Sequence, residues 1–483
     1  MKILKFFLLA AVSAAVFFAT SMNAEARMWT QQSTGKQIDA TLDKVENGVA
    51  YLRLKDGRVG PVKLSDLSAD DQAFITDYLK PKPAGGWPQF RGPNRDGIST
   101  DTGLKKQWPA DGPSKVWSYN NAGNGYSSVS VTGGKLYTSG TRESDVVIIC
   151  LDAASGEEQW STVISQDDKE GYLAGWGHGP RGTPTFSEGM VFAMGPKGTV
   201  ACLDAQNGSA IWKKHMGDDF AGEPGKWGYA SSLLIDGAKL VLAPGGKKAG
   251  IVALNKKTGD LLWKADEVKP GMAEYATIVP ANINGIDQYI RLFMKEIVSV
   301  NAESGKVVWR SEWPGATAVI PTPIVDGNEI FVGSGYGVGC KMITIDENNK
   351  ATDKWNNKVM KNHHGGFVKV GDHLYGFSDG AGLICQSWET GEMVWQEKDP
   401  QFLAKGAITV ADGMIYALNE QNGGLTLTDL SPDGYQGPVG RFVFGPQSKI
   451  RSTKGRIWSH PVVIDGKLYL RDQELIYCYD VKS

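Results

Sequence analysis

Apolar and polar residues alternate in short runs along most of the chain, and glycine-containing turns separate the runs. Three such runs read Val131 to Tyr137, Val325 to Phe331 and Val463 to Tyr469, each with a glycine turn near its middle. Alternation with a period of two is typical of half-buried strands, and a turn between two runs predicts a hairpin. The pattern therefore predicts a protein built mainly from β-hairpins.

A second pattern recurs from Val147 onward. A strand ends in Asp or Asn, glycine follows four residues later, and tryptophan follows four residues after the glycine. The fifth copy has Lys350 in place of glycine, the sixth keeps everything except the Asp, and a seventh, ending near Phe444, is degenerate. The residues of the copies are Asp152, Gly156 and Trp160; Asp204, Gly208 and Trp212; Asn255, Gly259 and Trp263; Asn301, Gly305 and Trp309; Asp346 and Trp355; and Gly391 and Trp395.

The copies are spaced by about 40–50 residues, which is the length of one four-stranded propeller blade. The Asp or Asn side chain can bond the backbone of its own turn, and glycine can take a positive φ there. The indole can fill the gap between neighbouring sheets. Each copy is therefore expected to join the two outer strands of a blade.

The end of the chain predicts how the ring closes. Residues 478–483 repeat the start of the motif and stop before its glycine and tryptophan, whereas Trp117 lies in a strand with no hairpin before it. We expect residues 115–119 to supply the outer strand of the last blade, so that no sheet edge stays open. This count gives eight blades, or seven if the copy near Phe444 is not a blade.

These repeats resemble those of quinoprotein alcohol dehydrogenases and of the outer-membrane assembly protein BamB. Four further segments resemble exported propellers common in Planctomycetes, namely Trp87 to Gly97, Gly125 to Ser128, His363 to Gly366 and Leu470 to Gln473. The resemblance spans residues 87–483. It implies an all-β fold, an eight-bladed β-propeller of the quinoprotein alcohol dehydrogenase type.

The pattern of apolar and polar residues in 27–80 predicts a separate small module. Apolar residues alternate in Ile38 to Leu42 and in Val49 to Leu54, and a third strand runs from Val59 to Leu64. Asn47-Gly48 and Asp56-Gly57 supply hairpin turns. Ser68 is a suitable N-cap for a helix from Ala69 to about Leu79. The Pro- and Gly-rich residues 81–86 are predicted to be a linker.

Within this module, Arg27-x-Trp29-Thr30, the segment from Gly48 to Arg58, and the segment from Leu64 to Gln72 resemble the first homology domain of the yeast Sla endocytic adaptor. The resemblance implies a small SH3-like barrel. Adaptor members of that family bind short peptides with an Asn-Pro-Phe-x-Asp motif, so we expect a protein-, peptide- or glycan-docking module. The alternative is a structural appendage without a ligand.

The first 26 residues have the pattern of a secretory signal peptide. Lys2 and Lys5 precede an apolar run from Phe6 to Ala19, and Ala24-Glu25-Ala26 is a small-x-small cleavage site. The alternative is an uncleaved anchor, although the run is shorter than the ~20 residues of a spanning helix. No cysteine near the site offers lipid attachment. The mature chain is expected to be periplasmic or secreted and to have no transmembrane segment.

The charge of the chain and the positions of its cysteines exclude several classes of partner and site. The formal net charge is -2, from 51 basic and 53 acidic residues, which disfavours nucleic acid as a partner. Cys150, Cys202, Cys385 and Cys478 occupy the same repeat position, and only Cys340 does not. Equivalent positions in neighbouring blades lie about 10 Å apart, beyond the ~7 Å limit for a disulfide. We therefore expect buried free thiols and no metal cluster.

The candidate ligand site is the mouth of the central channel, where loops from several blades converge. Candidates depart from the repeat and precede the first strand of a blade: His178, Arg181, Trp227, Tyr229, Asn362, His363, His364, Arg456 and His460. Adjacent residues of a strand point to opposite faces, so the paired histidines could share a metal ion only from a loop. We expect them to have a structural or ligand-binding role.

The resemblance to quinone enzymes implies pyrroloquinoline quinone (PQQ), bridged by Ca²⁺, with a catalytic Asp, a stacking Trp and often a Cys-Cys ring. The sequence has no Cys-Cys pair and no separated Glu, Asn and Asp that match those ligands. We therefore expect a non-catalytic scaffold that binds a periplasmic or cell-envelope protein or peptide. The alternative is a PQQ- and Ca²⁺-dependent dehydrogenase of alcohols or sugars, and an outer-membrane assembly factor ranks third because the lipid-anchor cysteine is missing.

Overall fold

The fold is described from a computed structural model, which describes residues 27–46, 48–54, 58–79 and 86–483. The predicted signal peptide, Asn47, the Asp56-Gly57 turn and residues 80–85 lie outside the described residues. Two compact units divide the chain after Ala84. Among the described residues, no helix is both long and apolar enough to cross a membrane.

The first unit is a four-stranded antiparallel sheet with a helix at its end. Its strands follow one another in order, and a short 3₁₀ turn over Leu64–Asp66 precedes the helix. The elements are β1 (Arg27–Thr30), β2 (Gln37–Glu46), β3 (Val49–Leu54), β4 (Val59–Lys63) and α1 (Ala69–Leu79). Its buried core contains Trp29, Ala40, Leu42, Ala50, Leu52, Leu67 and Ile75.

Asp71 joins the helix of the first unit to its first strand. Ser68 Oγ accepts a hydrogen bond from the Asp71 amide at 3.2 Å, which caps the helix as the sequence predicts. The carboxylate of Asp71 accepts the Thr30 amide at 2.7 Å and forms an ion pair with Arg27 at 2.9 Å. Strand β1 was not among the strands expected from alternation, because it is only four residues long.

The second unit begins with three strands, each of which joins a different sheet. They are β5 (Gly86–Trp87), β6 (Ile98–Ser99) and β7 (Ser114–Tyr119). Gly86, which the sequence assigns to the linker, lies in β5 and pairs there with Thr132 of the neighbouring strand. Assignment of Gly86 to the linker is therefore wrong by one residue, because glycine content alone does not show where a strand begins.

The second unit has eight sheets of four main strands each, and in seven of them the four strands are consecutive in the sequence. Sheet 1 contains β8 (Ser130–Thr132), β9 (Lys135–Arg142), β10 (Asp145–Asp152) and β11 (Glu158–Gln166). Sheet 2 contains β12 (Thr185–Ser187), β13 (Met190–Met194), β14 (Thr199–Asp204) and β15 (Ala210–His215), which leads into helix α2 (Met216–Phe220). Sheet 3 contains β16 (Leu234–Asp236), β17 (Lys239–Leu242), β18 (Val252–Asn255) and β19 (Leu261–Lys264).

The remaining sheets keep this hairpin order. Sheet 4 contains β20 (Val279–Ile283), β21 (Ile286–Leu292), β22 (Glu296–Asn301) and β23 (Val307–Glu312). Sheet 5 contains β24 (Ile324–Asp326), β25 (Glu329–Ser334), β26 (Gly339–Ile345) and β27 (Ala351–Asn357). Sheet 6 contains β28 (Phe367–Val370), β29 (His373–Ser378), β30 (Gly382–Ser387) and β31 (Met393–Glu397). Sheet 7 contains β32 (Gly406–Ala411), β33 (Met414–Asn419), β34 (Gly424–Asp429) and β35 (Pro438–Val443).

Sheet 8 combines the two ends of the second unit. It contains β36 (Val462–Ile464), β37 (Lys467–Asp472) and β38 (Leu475–Asp480), and β7 is its fourth strand. Cys478 pairs with Trp117 in this antiparallel ladder. The outermost strand of sheet 8 thus comes from before sheet 1 in the sequence.

Tryptophan and glycine of the repeat meet between neighbouring sheets. Trp117 packs on Gly156, where φ is 77° and a methyl group would lie 2.6 Å from the indole. The indole Nε1 of Trp117 donates to the carbonyl of Ala153 at 3.1 Å. Asp152 Oδ1 accepts hydrogen bonds from backbone amides of its own turn, as the repeat predicts. The same packing joins Trp160 to Gly208, Trp212 to Gly259, Trp263 to Gly305, and Trp355 to Gly391.

Arg471 fastens sheet 8 to sheet 1. Its side chain is 2% exposed, and Nη1 donates to Ser127 O at 3.0 Å, to Thr138 Oγ1 at 2.6 Å and to Ser139 O at 2.7 Å. Nε donates to Gln473 O within its own sheet at 2.8 Å. Because the acceptors belong to different sheets, this one guanidinium holds the two ends of the unit together.

Residues 88–97, which we call the crossing segment, contact several sheets between β5 and β6. Pro88 O accepts the amide of Phe186 in sheet 2 at 2.7 Å. Arg95 donates to Leu233 O beside sheet 3, and Arg91 donates to Phe367 O in sheet 6. The segment therefore crosses the centre of the unit, and β6 then pairs in parallel with β32 of sheet 7.

All five cysteines are buried and free. Burial raises the pKa of the Cys150 thiol to about 11 and that of Cys202 to about 12, because an apolar surrounding disfavours the thiolate. The prediction of unpaired buried thiols is confirmed.

Candidate functional site

A cavity of about 480 Å³ lies where the loops before the first strands of all eight sheets converge. Phe90 and Arg91 of the crossing segment also line it. The other lining residues are Tyr126, Ser128, Trp176, Arg181, Thr183, Trp227, Ala230, Ser232, Tyr275, Thr277, Thr317, Ala318, Ile320, Pro321, Thr322, Tyr336, His363, His364, Gly366, Lys405, Glu420, Gln421, Lys454, Arg456, Trp458 and His460. We call this cavity the central pocket.

The structure brings six of the nine sequence candidates together in the central pocket: Arg181, Trp227, His363, His364, Arg456 and His460. The other three do not line it. Tyr229 is buried and donates to Pro244 O, and Asn362 is buried and donates to Gly366 O and Phe377 O. His178 is half-buried in the loop that carries Arg181.

Sequence reasoning missed several lining residues, among them Phe90, Arg91, Lys405 and Glu420. The segment with Phe90 and Arg91 had been singled out, but only as part of a resemblance. Its two arginines were a signal, because a charged side chain that becomes buried needs a partner or a ligand. Glu420 lies in the turn between β33 and β34, which the repeat did not mark.

Four aromatic rings contact one another in a row along one side of the central pocket. His363 and His364 lie in the loop between β27 and β28, and their ring centroids are 4.0 Å apart. Trp458 stacks on His364 at 4.5 Å, and Tyr336 meets His363 edge-on at 4.2 Å. The two histidine side chains thus lie side by side, because the loop backbone does not alternate them as a strand would.

His363 and His460 are neutral because burial lowers the pKa of both imidazoles. Burial, together with the nearby His364 and Lys405, lowers the pKa of His363 to about 2. Burial lowers the pKa of His460 to about 3, and Arg91 adds to the effect. His460 Nε2 lies 2.9 Å from the carbonyl oxygen of His364, so Nε2 carries the proton and donates.

Within the part of the chain that the structure describes, Glu420 is the single carboxylate that lines the central pocket. Its Oε2 lies 3.7 Å from His364 Nδ1, and its side chain is 7% exposed. Although burial acts to raise the pKa of Glu420, contact with His364 and the charge of Lys405 lower it overall. Lys405 also contacts His363 and forms an ion pair with Asp379 at 2.8 Å.

The donors in the central pocket do not fit Ca²⁺. Calcium takes six to eight oxygen ligands, several of them carboxylates. Among the residues that the structure describes, no group of three or more His, Cys, Asp or Glu side chains is placed to hold a metal ion. His363 Nδ1 faces Lys405 and His364 Nδ1 faces Glu420, so these two nitrogens do not converge on one ion. The residues of the central pocket therefore do not fit a Ca²⁺ ion that bridges PQQ.

Comparison with known proteins connects this architecture to a family. The model of the family described as outer membrane protein assembly factor BamB matches residues 142–397, which is more than half of the chain. BamB of Shewanella oneidensis is 23% identical over 337 residues, which cover 60% of this chain and 81% of that protein.

Solved structures show the same fold. The crystal structure of BamB from Moraxella catarrhalis has a TM-score of 0.53 at 15% identity and covers 76% of this chain and 97% of that chain. A quinohemoprotein alcohol dehydrogenase from Pseudomonas putida has a TM-score of 0.56 at 13% identity and covers 82% of this chain and 80% of that chain. At these identities the likeness establishes the β-propeller fold alone. The match over residues 142–397 is with the BamB family model, and the chain belongs to the family described as outer membrane protein assembly factor BamB.

Proposed function

We propose that this protein is an exported, non-catalytic scaffold of the cell envelope, and that its propeller binds a protein or peptide partner. The relatives are named for outer membrane protein assembly, a role that the sequence alone had ranked third. Membership of their family supports such a role here, and the missing lipid-anchor cysteine was too weak a reason for that ranking. The N-terminal 26 residues would direct export.

The observation that carries the proposal is the make-up of the central pocket. Aromatic and cationic side chains from all eight sheets converge there, and of the described residues only Glu420 adds a carboxylate. Such a surface offers stacking faces and hydrogen-bond donors, which are the means of binding. The resemblance to quinone enzymes implies Ca²⁺ and a catalytic Asp, and the described residues offer no group of three or more His, Cys, Asp or Glu side chains that could hold the ion.

We also propose that the eight sheets are the eight blades of a single propeller of the exported Planctomycetes type. The ladder between β38 and β7 supports this count, because it completes a fourth strand in the last sheet. Sheet 7 supports it as well, since it has four strands despite its degenerate repeat.

For the first unit we propose an SH3-like, Sla-type docking module. Its four consecutive antiparallel strands followed by a 3₁₀ turn and a helix support this assignment. In the scaffold it would add a second contact to the partner, so that two weak contacts together give firm binding.

The test is a pull-down from solubilised envelopes with the mature full-length chain as bait. A Trp227→Ala, Trp458→Ala variant removes two pocket aromatics, and an Ile211→Ala variant is the matched control at an exposed outer strand. We expect wild type and control to retain the same envelope proteins and the pocket variant to lose them. Identical protein profiles for all three baits would contradict a partner site in the pocket.

A second assay tests the proposal that the protein has no dehydrogenase activity. PQQ and Ca²⁺ are added to the purified chain, and dye-linked oxidation of alcohols and sugars is followed. We expect no activity above that of the cofactor alone. Turnover that the Trp458→Ala variant abolishes would overturn the proposal in favour of a dehydrogenase.

A further inference from the structure

Cations outnumber carboxylates in the lining of the central pocket. Arg91, Arg181, Lys405, Lys454 and Arg456 all line it, and Glu420 is the single acidic lining residue among those that the structure describes. Lys405 pairs with Asp379 outside the lining, so four cations still stand against one carboxylate. The neutral state of His363 and His460 adds no charge of either sign. A concave surface lined by one sign of charge concentrates ligands of the opposite sign. The electrostatics of the pocket therefore favour an anion.

Arg91 lines this pocket and has one buried donor that is unused. Its side chain is 3% exposed, Nε donates to Arg95 O at 3.1 Å, and Nη2 donates to Asp96 O at 2.8 Å and to Phe367 O. Nη1 has no hydrogen-bond partner among the described residues. A buried polar group without a partner is costly, so an arginine held in this way is prepared for a ligand acceptor.

Arg181 and Arg456 are held by carbonyl groups instead of carboxylates. Arg181 donates to Gly177 O at 2.8 Å and Gly179 O at 3.2 Å, and it lies 5.5 Å over the ring of Tyr126. Arg456 donates to Gly455 O at 2.8 Å. Because main-chain carbonyls carry no net charge, both guanidinium groups keep their positive charge available to a ligand.

Aromatic faces in the same pocket remain uncovered. Trp176 is 44% exposed and Tyr336 is 40% exposed, although both rings are large and apolar. Exposed aromatic side chains inside a pocket offer stacking surfaces to a flat or ring-shaped group. The volume of about 480 Å³ suits a small molecule that contacts these faces.

We propose that the central pocket binds a small organic anion whose carboxylate is attached to a ring. The carboxylate pairs with the pocket arginines, including the free Nη1 of Arg91, and the ring lies against the aromatic walls. This inference rests on the proposed function, because both treat the pocket as a binding site. Uronic acids and aromatic acids are two sources of such a carboxylate.

The experiment is calorimetric titration of the purified full-length chain with two pairs of compounds. D-Glucuronate is compared with D-glucose, and 4-hydroxybenzoate with 4-hydroxybenzamide, so that each pair differs in charge and keeps its ring. We expect at least one acid to bind about tenfold or more tightly than its neutral partner, as a charge-assisted hydrogen bond implies. The acid that binds more tightly identifies the sugar or the aromatic source.

Two variants locate the site. Arg181→Gln and Arg456→Gln each remove one pocket cation and should weaken binding of the acid about tenfold. The matched control is Arg142→Gln, since Arg142 lies outside the pocket and pairs with Glu158 at 2.8 Å. Thermal unfolding of each protein shows whether it is folded, and Arg456, which donates only to carbonyls of its own loop, is the safer of the two substitutions.

Three results would overturn the proposal: equal affinity for acids and neutral partners, equal binding by both pocket variants and wild type, or no binding of any compound. If the chain binds no compound but still retains its partners in the pull-down, only the ligand class is wrong. If both experiments fail, the proposed function fails as well.

Discussion

Trp108 packs against Gly440, and a methyl group at Gly440 would lie 2.7 Å from the Trp108 side chain. Gly440 pairs with Leu427 immediately before the bulge of sheet 7, just as Trp160 pairs with Cys150 before the bulge of sheet 1. Sheet 7 therefore has glycine where other sheets have the repeat tryptophan. A tryptophan from the segment between β6 and β7 fills that place.

Replacement of Trp108 should destabilise the second unit strongly. Its ring is 7% exposed and lies 5.7 Å from Tyr416 and 5.6 Å from Phe442. Trp108→Ala leaves a large cavity, so we expect the free energy of unfolding to fall by about 3–5 kcal/mol. Urea denaturation measures the change, and Trp176→Ala, at a ring 44% exposed, is the control with a smaller expected loss. Equal losses for the two variants would show that Trp108 is not part of the core.

Arg471→Lys should weaken the junction between sheets 8 and 1. A lysine ammonium cannot reach the three acceptors that Nη1 contacts while also replacing the Nε bond to Gln473 O. Buried carbonyls would lose their donor, and each costs about 1–3 kcal/mol. We expect a lower melting temperature, whereas Arg310→Lys, at an exposed ion pair with Glu296, should change it little.

Glu274 should make stability depend on pH. Burial raises the pKa of its carboxyl to about 7, and Oε2 has no hydrogen-bond partner among the described residues. Since the folded pKa exceeds the unfolded value, the stability that the neutral carboxyl gives is complete below about pH 4.5. It is lost as the pH rises through about 7, at about 1.4 kcal/mol for each pKa unit.

The measurement for Glu274 is the free energy of unfolding at pH 5 and pH 8. Glu274→Gln should stabilise the protein at pH 8 relative to wild type and flatten the pH profile between these values. Glu157→Gln, at an exposed side chain, is the control and should leave the profile unchanged. An unchanged profile in Glu274→Gln would mean that this carboxyl does not titrate there.

The cysteines should react slowly with a thiol reagent in the folded protein. Burial raises the pKa of Cys385 to about 11 and that of Cys478 to about 12, so little thiolate forms at neutral pH. We expect all five thiols to react in denaturant and almost none without it, as measured by absorbance with a chromogenic disulfide. Rapid reaction of one thiol in the native protein would show that its sheet opens locally.

Local patterns in the sequence predicted most strands and the helix Ala69–Leu79, because alternation and capping are properties of neighbouring residues. The strand over residues 115–119 was also expected, since the missing outer strand had to come from somewhere. The role of Trp108 was not, because its partner Gly440 lies far away in sequence and no repeat marks it.

The same reasoning explains which pocket residues were found. Arg181, Trp227 and His363 stood out because they interrupt the repeat before a first strand. Arg91 and Glu420 did not, since their position depends on contacts across the fold, such as the bond from Arg91 to Phe367 O. Sequence patterns show which loops face the axis, and only the folded ring shows which side chains meet there.

The ladder between β38 and β7 has a consequence for folding. Its paired residues Trp117 and Cys478 lie on either side of the main strands of the other seven sheets in the sequence. The two strands can therefore pair only when the whole intervening segment comes together, and the entropic cost of closing so long a loop falls on this one step. Among the described strands β7 pairs with β38 alone, so before closure its backbone is an open template for aggregation.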